Sequence, residues 1–254
     1  MDLTNIEEAK KYVLKRVQAE QNGSDRVHSL IIECAYQIIS LSSKYNSDLF
    51  SFAKYPELKK KVDKLIEKLK EDIEIYTFTY AVLCTDDDED KSRIYSHSFG
   101  NKYGDTFEGR TDKYLDRFSN EVEMFISAGI VLGLPTDKVM TAYKAECEHP
   151  YSESIITRAS KINPAIVTKT NLGVGKSNPS LIALEKLARM TIADGWSFNN
   201  FYNASKNGAS GFYVFRGSSY PCIECNSHVG WLHTMLDDYP PFHAYCKCYT
   251  VYVF

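Results

Sequence analysis

Residues 211–254 read GFYVFRGSSYPCIECNSHVGWLHTMLDDYPPFHAYCKCYTVYVF. Two short apolar runs frame this stretch. GFYVFRG (211–217) is aromatic and β-branched, the composition of a strand, and CKCYTVYVF (246–254) ends in a second one. Between them lie Cys222-x2-Cys225, seventeen further residues, and then His243-x2-Cys246-x-Cys248. A CxxC turn lets two thiolates of one tight bend reach a single ion, with Zn–S of about 2.3 Å. The second cluster closes the site from distant sequence. Four thiols and an imidazole exceed the four ligands of a tetrahedral zinc. Cys222, Cys225 and Cys246 are therefore the firm part of the set, and the fourth ligand is His243 or Cys248. A structural zinc (Zn2+) here substitutes for a hydrophobic core in a small, irregular region. Free buried cysteines, a disulfide pair and a redox use are the competing readings of the same residues.

Upstream of this stretch the pattern is helical. NPSLIALEKLARMTIADGWSFNNFYNAS places Leu181, Leu184, Leu187, Ala188 and Ile192 on one helix. Before it, Tyr114, Leu115, Phe118, Val122, Phe125 and Ile126 form another helical face, which stops at Gly133; Thr136 caps the next helix. PELKKKVDKLIEKLKEDIEIYTF carries Leu58, Val62, Leu65, Leu69 and Ile73 at helical steps, with Pro56 at a position where helices start. Its lysines read as a solvated face, with a contact to nucleic acid or an acidic partner as the alternative. The first helix is expected to stop near QNGS, where Ser24-Asp25 caps a second. CTDDDEDKS reads as a solvated loop, and HSFGNKYGDTFEGRTD as a boundary ending at an N-cap near Thr111-Asp112. The expected fold is mainly α (α+β): a helical body with a small zinc-stabilised, β-containing C-terminal module. The expected division is an N-terminal helical region, 1–110, and a C-terminal domain, 111–254.

The chain has 254 residues, 30 Lys+Arg, 33 Asp+Glu and 7 Cys. A net charge of −3 excludes a uniformly basic nucleic-acid binder, though not a local basic patch. The odd cysteine count argues against a complete disulfide framework. Neither an apolar leader nor an apolar run of ~18–20 residues is visible, so a soluble intracellular chain with reduced thiols and no membrane partner is expected. GVGKS (173–177) lacks the first glycine of a phosphate loop, since Thr170 stands at that position. His228 and His233 have no ligand spacing and read as surface or loop histidines. No pair of carboxylates or nucleophile motif declares an active site.

The C-terminal half resembles the phage head morphogenesis family, the minor head proteins similar to protein F of phage Mu. The residues that carry the resemblance are Cys222-Ile-Glu-Cys225, Gly230, Leu236-Asp237-Asp238, and Pro240-Pro241-Phe242-His243-Ala-Tyr-Cys246-Lys-Cys248. AGIVLGLPTDKVMTAY (128–143) and LARMTIADGW (187–196) are similar to the family's upstream helices, and GFYVFRG to its aromatic strand. Lys247 replaces the arginine common in the family, and the family's Arg-Thr step is Arg189-Met190-Thr191 here. The resemblance covers roughly residues 112–254. It implies a non-enzymatic minor head protein, associated with portal and capsid proteins and with packaged DNA nearby. Such proteins assist head assembly, and some influence packaging or release of the DNA. The implied location is the virion head, or the bacterial host cytoplasm during assembly. The main rival is a zinc-dependent nuclease or toxin module, in which His228, His233 or His243 acts as general base beside a metal-held phosphate. A plain interaction module is the third reading.

Overall fold

The computed structural model describes residues 3–47, 50–102, 104–148, 154–168 and 180–254. Its helices are α1 (Leu3–Ser42), α2 (Pro56–Ala81), α3 (Asp88–Ser98), α4 (Phe107–Val131), α5 (Thr136–Glu148), α6 (Ile155–Ile162), α7 (Ala165–Thr168), α8 (Ser180–Lys206) and α9 (Ile223–Ser227). Three strands accompany them: β1 (Gly211–Phe215), β2 (Leu232–Thr234) and β3 (Tyr249–Val253). The fold is mainly α with a small antiparallel sheet near the C-terminus, as the composition of 211–217 and 249–253 implies. GVGKS lies outside the described residues. Among the described residues, no helix is long and apolar enough to cross a membrane.

The chain groups into two compact units. The first contains Met1–Arg26, Glu74–Glu108 and Lys186–Phe254. Its sheet has the order β2-β1-β3, with Phe212 opposite both His233 and Tyr252. Alternation along β1 sorts the side chains onto two faces. Val13 of α1 packs with Tyr249 and Val251, joined by Ile6, Ala9, Val17 and Phe215. Phe212 and Val214 face the other way, into a cluster with Cys225, Cys246 and Cys248. Buried polar groups pin the helices: the Tyr12 hydroxyl donates to the Trp196 carbonyl at 2.7 Å, and Trp196 Nε1 donates to the Tyr80 carbonyl at 2.9 Å.

The second unit contains Val27–Ile73 and Gly109–Glu185. The apolar stripe of α2 is buried at Leu58, Val62, Leu69 and Ile73, as its spacing demands. Phe118, Val122 and Phe125 of α4 and Tyr143 of α5 are also buried, and the Phe125 and Tyr143 rings meet edge to face at 5.2 Å. Glu121 closes the start of α8, accepting hydrogen bonds from the Ser180 N–H and from its hydroxyl.

Three local expectations are corrected. The chain does not stop at QNGS; α1 runs through it without a break. Gly23 serves close approach there, since a Cβ on it would meet Ile192 Cδ1 at 2.4 Å, and Ser24 is buried. The acidic run after Cys84 is not wholly loop, because α3 begins at Asp88. Asp87 caps it by accepting from the Asp90 N–H at 2.9 Å. Asp88, Glu89 and Asp90 in the first turn complement the positive end of the helix dipole. Finally, α4 begins at Phe107, not at 111–112, because burying Phe107 and Thr111 extends the helix backwards.

Candidate metal centre

The site belongs to the first unit. β1 ends at Phe215, and five residues beyond Gly217 the chain reaches Cys222, the N-cap of α9. The Cys222 sulfur accepts from the Cys225 N–H at 3.5 Å, which folds CxxC into a turn presenting both sulfurs on one side. From the far side come His243, Cys246 and Cys248, leading into β3. All seven cysteines are free thiols.

Two ligand triads form. Cys222, Cys225 and His243 have their donor atoms within 4.8 Å of one another, and so do Cys225, Cys246 and Cys248. His243 Nε2 lies 3.2 Å from Cys222 Sγ and 3.0 Å from Cys225 Sγ. Cys225 and Cys246 sulfurs are 3.8 Å apart. A tetrahedral centre with Zn–S of about 2.3 Å has sulfur–sulfur edges of about 3.8 Å. The cluster can hold a metal ion, and its soft thiolate and imidazole donors suit a borderline-soft one.

The imidazole is oriented for this. His243 Nδ1 lies 2.7 Å from the Ala244 carbonyl, which can only accept, so Nδ1 carries the proton. Nε2 then offers its lone pair toward the two sulfurs, the tautomer control typical of a metal-bound histidine. Burial works against protonation of His243, but the Ala244 carbonyl and the nearby thiol groups raise its pKa on balance. The backbone N–H of Cys225 holds the Cys222 thiol below the usual range. Burial pushes the Cys225 thiol up to about 12. A hydrogen bond from Cys248 pulls Cys246 down to about 5, while Cys248 keeps the shared proton and is raised.

Close packing fixes the loop. A Cβ on Gly217 would fall 1.9 Å from the Lys247 carbonyl oxygen, so only glycine lets the end of the first strand segment approach the Cys246–Cys248 backbone. Tyr245 adopts a left-handed backbone, φ 66°, one residue before Cys246, and the Arg189 guanidinium sits 5.0 Å over its ring.

His233 corrects the expectation of a surface or loop histidine. It lies in β2 and is buried, stacked on Phe212 and against Trp231, with Nε2 donating to the His228 carbonyl at 2.7 Å. His228 is half-buried, stacked on Phe242. Around the module several large apolar side chains face outward: Tyr220, Trp231, Leu232 and Tyr245, with Ile223 and Leu236 91% and 97% exposed. Sequence reasoning missed Arg16 and Glu20, which reach the Cys246–Cys248 segment from α1. On the sequence they are ordinary charges of a polar helix.

Comparison with protein-family models, with curated proteins and with solved structures finds no match to this chain.

Proposed function

We propose that this chain is a non-enzymatic assembly protein, a portal-associated minor head component of a tailed phage, whose C-terminal module is held in shape by one structural zinc. The observation that carries this reading is the pair of triads, Cys222–Cys225–His243 and Cys225–Cys246–Cys248, which share Cys225. Cys225 and His243, with seventeen residues between them, meet there with the histidine tautomer set for ligation. In this reading Cys222, Cys225, His243 and Cys246 are the ligands, and Cys248, the third member of the second triad, stands beside Cys246. The order of these residues and of the aromatic strand resembles that of the head morphogenesis family. A zinc held by these residues would neutralise thiolate charge and tie the α9 turn to the start of β3, where the apolar core is small.

Outward-facing Ile223, Trp231, Leu232 and Leu236 suit docking on another protein, since interface cores are apolar with a polar rim. The portal and capsid proteins are the proposed partners, and the virion head the proposed location. The competing nuclease reading needs a histidine base. His243 has both ring nitrogens engaged and His233 is buried, which leaves half-buried His228 as the one candidate base for that reading. Co-purification from cells assembling heads tests the role. The tagged chain is expected to bring down portal or capsid protein, and Ile223→Asp with Leu236→Asp to weaken that capture. A folded chain that never associates with heads, or that cuts DNA with Mg2+ or Zn2+ in a His243-dependent way, would sink it.

A further inference from the structure

Arg16 and Glu20 stand one turn apart on α1 and are 3% and 1% exposed. Burying such a pair costs heavily unless nearly every donor and acceptor finds a partner. Here the partners belong to the metal loop. Arg16 Nη2 donates to the main-chain carbonyls of Cys246, at 2.9 Å, and Cys248, at 3.3 Å. Arg16 Nη1 donates to Ser197 Oγ at 3.1 Å, and its Nε faces Glu20 Oε1 at 3.1 Å. Glu20 Oε2 accepts from Lys247 Nζ at 2.9 Å. Three consecutive residues, Cys246, Lys247 and Cys248, are therefore gripped by one turn of a helix more than two hundred residues away.

We infer that Arg16 and Glu20 are positioning residues of the metal site, and that metal binding and the docking of the N-terminal part of α1 are thermodynamically linked. Neither touches a ligand atom. They act through the backbone that carries Cys246, setting its sulfur where it meets that of Cys225. The guanidinium suits the task because one rigid fork spans two carbonyls and a hydroxyl, which a single ammonium does not. Linkage makes the effect reciprocal: if the grip favours metal, metal favours the grip by the same factor. When the metal leaves and the loop loosens, the buried pair loses its partners and the start of α1 opens to water. This inference rests on the metal reading of the cluster.

The test uses the full-length chain under reducing conditions, titrated with zinc against a chromogenic chelator. Circular dichroism confirms that each variant is folded. Arg16→Ala is expected to weaken zinc binding by about 10–100-fold, the usual effect of losing an outer-shell partner. Arg16→Lys should restore part of the loss, and Glu20→Gln should cost less than Arg16→Ala. Hydrogen exchange supplies the readout that a merely structural role would not move: stripping zinc from the wild-type chain should speed amide exchange in residues 6–20. Should Arg16→Ala not fold, Arg16→Lys and Glu20→Gln carry the same comparison. Wild-type affinity in the folded variants, with exchange in residues 6–20 indifferent to zinc, overturns the inference and leaves the metal reading standing. A wild-type chain that takes up no zinc overturns both.

Discussion

Gly217→Ala is a one-carbon change whose effect follows from the close approach of Gly217 to the Lys247 carbonyl. The new methyl carbon would lie 1.9 Å from the Lys247 carbonyl oxygen and 2.8 Å from its carbon. Carbon–oxygen contacts start at about 3.3 Å, so the 246–248 backbone must retreat by roughly 1.4 Å. The Arg16 bond to the Cys246 carbonyl, now 2.9 Å, does not survive such a shift. Overpacking of this kind costs about 1–3 kcal/mol, and a lost bond to a charged donor about 1.5–3 kcal/mol. Once metal leaves, the loop is free to relax away from the methyl, so the strain is concentrated in the loaded state. At about 1.4 kcal/mol per tenfold, zinc affinity should fall about 100-fold or more. Chelator competition and thermal unfolding with and without zinc measure this. Ser219→Ala, at an exposed position nearby, is the control and should change neither. A Gly217→Ala chain that keeps wild-type affinity and melting temperature would refute the close approach and the argument built on it.

Three further outcomes follow from the geometry. His243→Ala should lower zinc content and Cys248→Ser should preserve it, as read by metal analysis; the reverse result would exchange their roles. Glu121→Ala should destabilise the second unit by about 1–3 kcal/mol in denaturant melts, because the Ser180 N–H and hydroxyl lose their acceptor. Burial opposes ionisation of Asp194, but hydrogen bonds from His97 and Lys102 and the lysine charge hold its carboxyl below the ordinary aspartate range. Its folded pKa is depressed. The stability it contributes is therefore complete above the ordinary aspartate value of about 4 and is lost as pH falls through the folded value. Asp194→Asn should reduce stability at pH 7 and flatten the acid limb of a stability–pH curve.

Much of the fold and of the candidate site was legible in the sequence. The α2 stripe, the two terminal strands and the clustered Cys222, Cys225, His243, Cys246 and Cys248 all express local rules of period and spacing. Where reading failed, a tertiary contact or a local cap reversed the first signal. Gly23 looks like a helix stop but is a packing glycine against Ile192. The acidic residues after Cys84 look like a solvated loop but cap and charge the start of α3. β2 is three residues long and places a histidine inward, so neither length nor polarity reveals it. Arg16 and Glu20 were beyond reach, because their partners are loop residues at the other end of the chain.

Metal content of the purified chain tests the central claim most directly. Protein prepared under reducing, chelator-free conditions should carry about one zinc per chain. Cys222→Ser or Cys246→Ser should remove it and destabilise the C-terminal module. A chain that is metal-free as purified, takes up no zinc on titration and keeps the same C-terminal protection from hydrogen exchange would contradict the account.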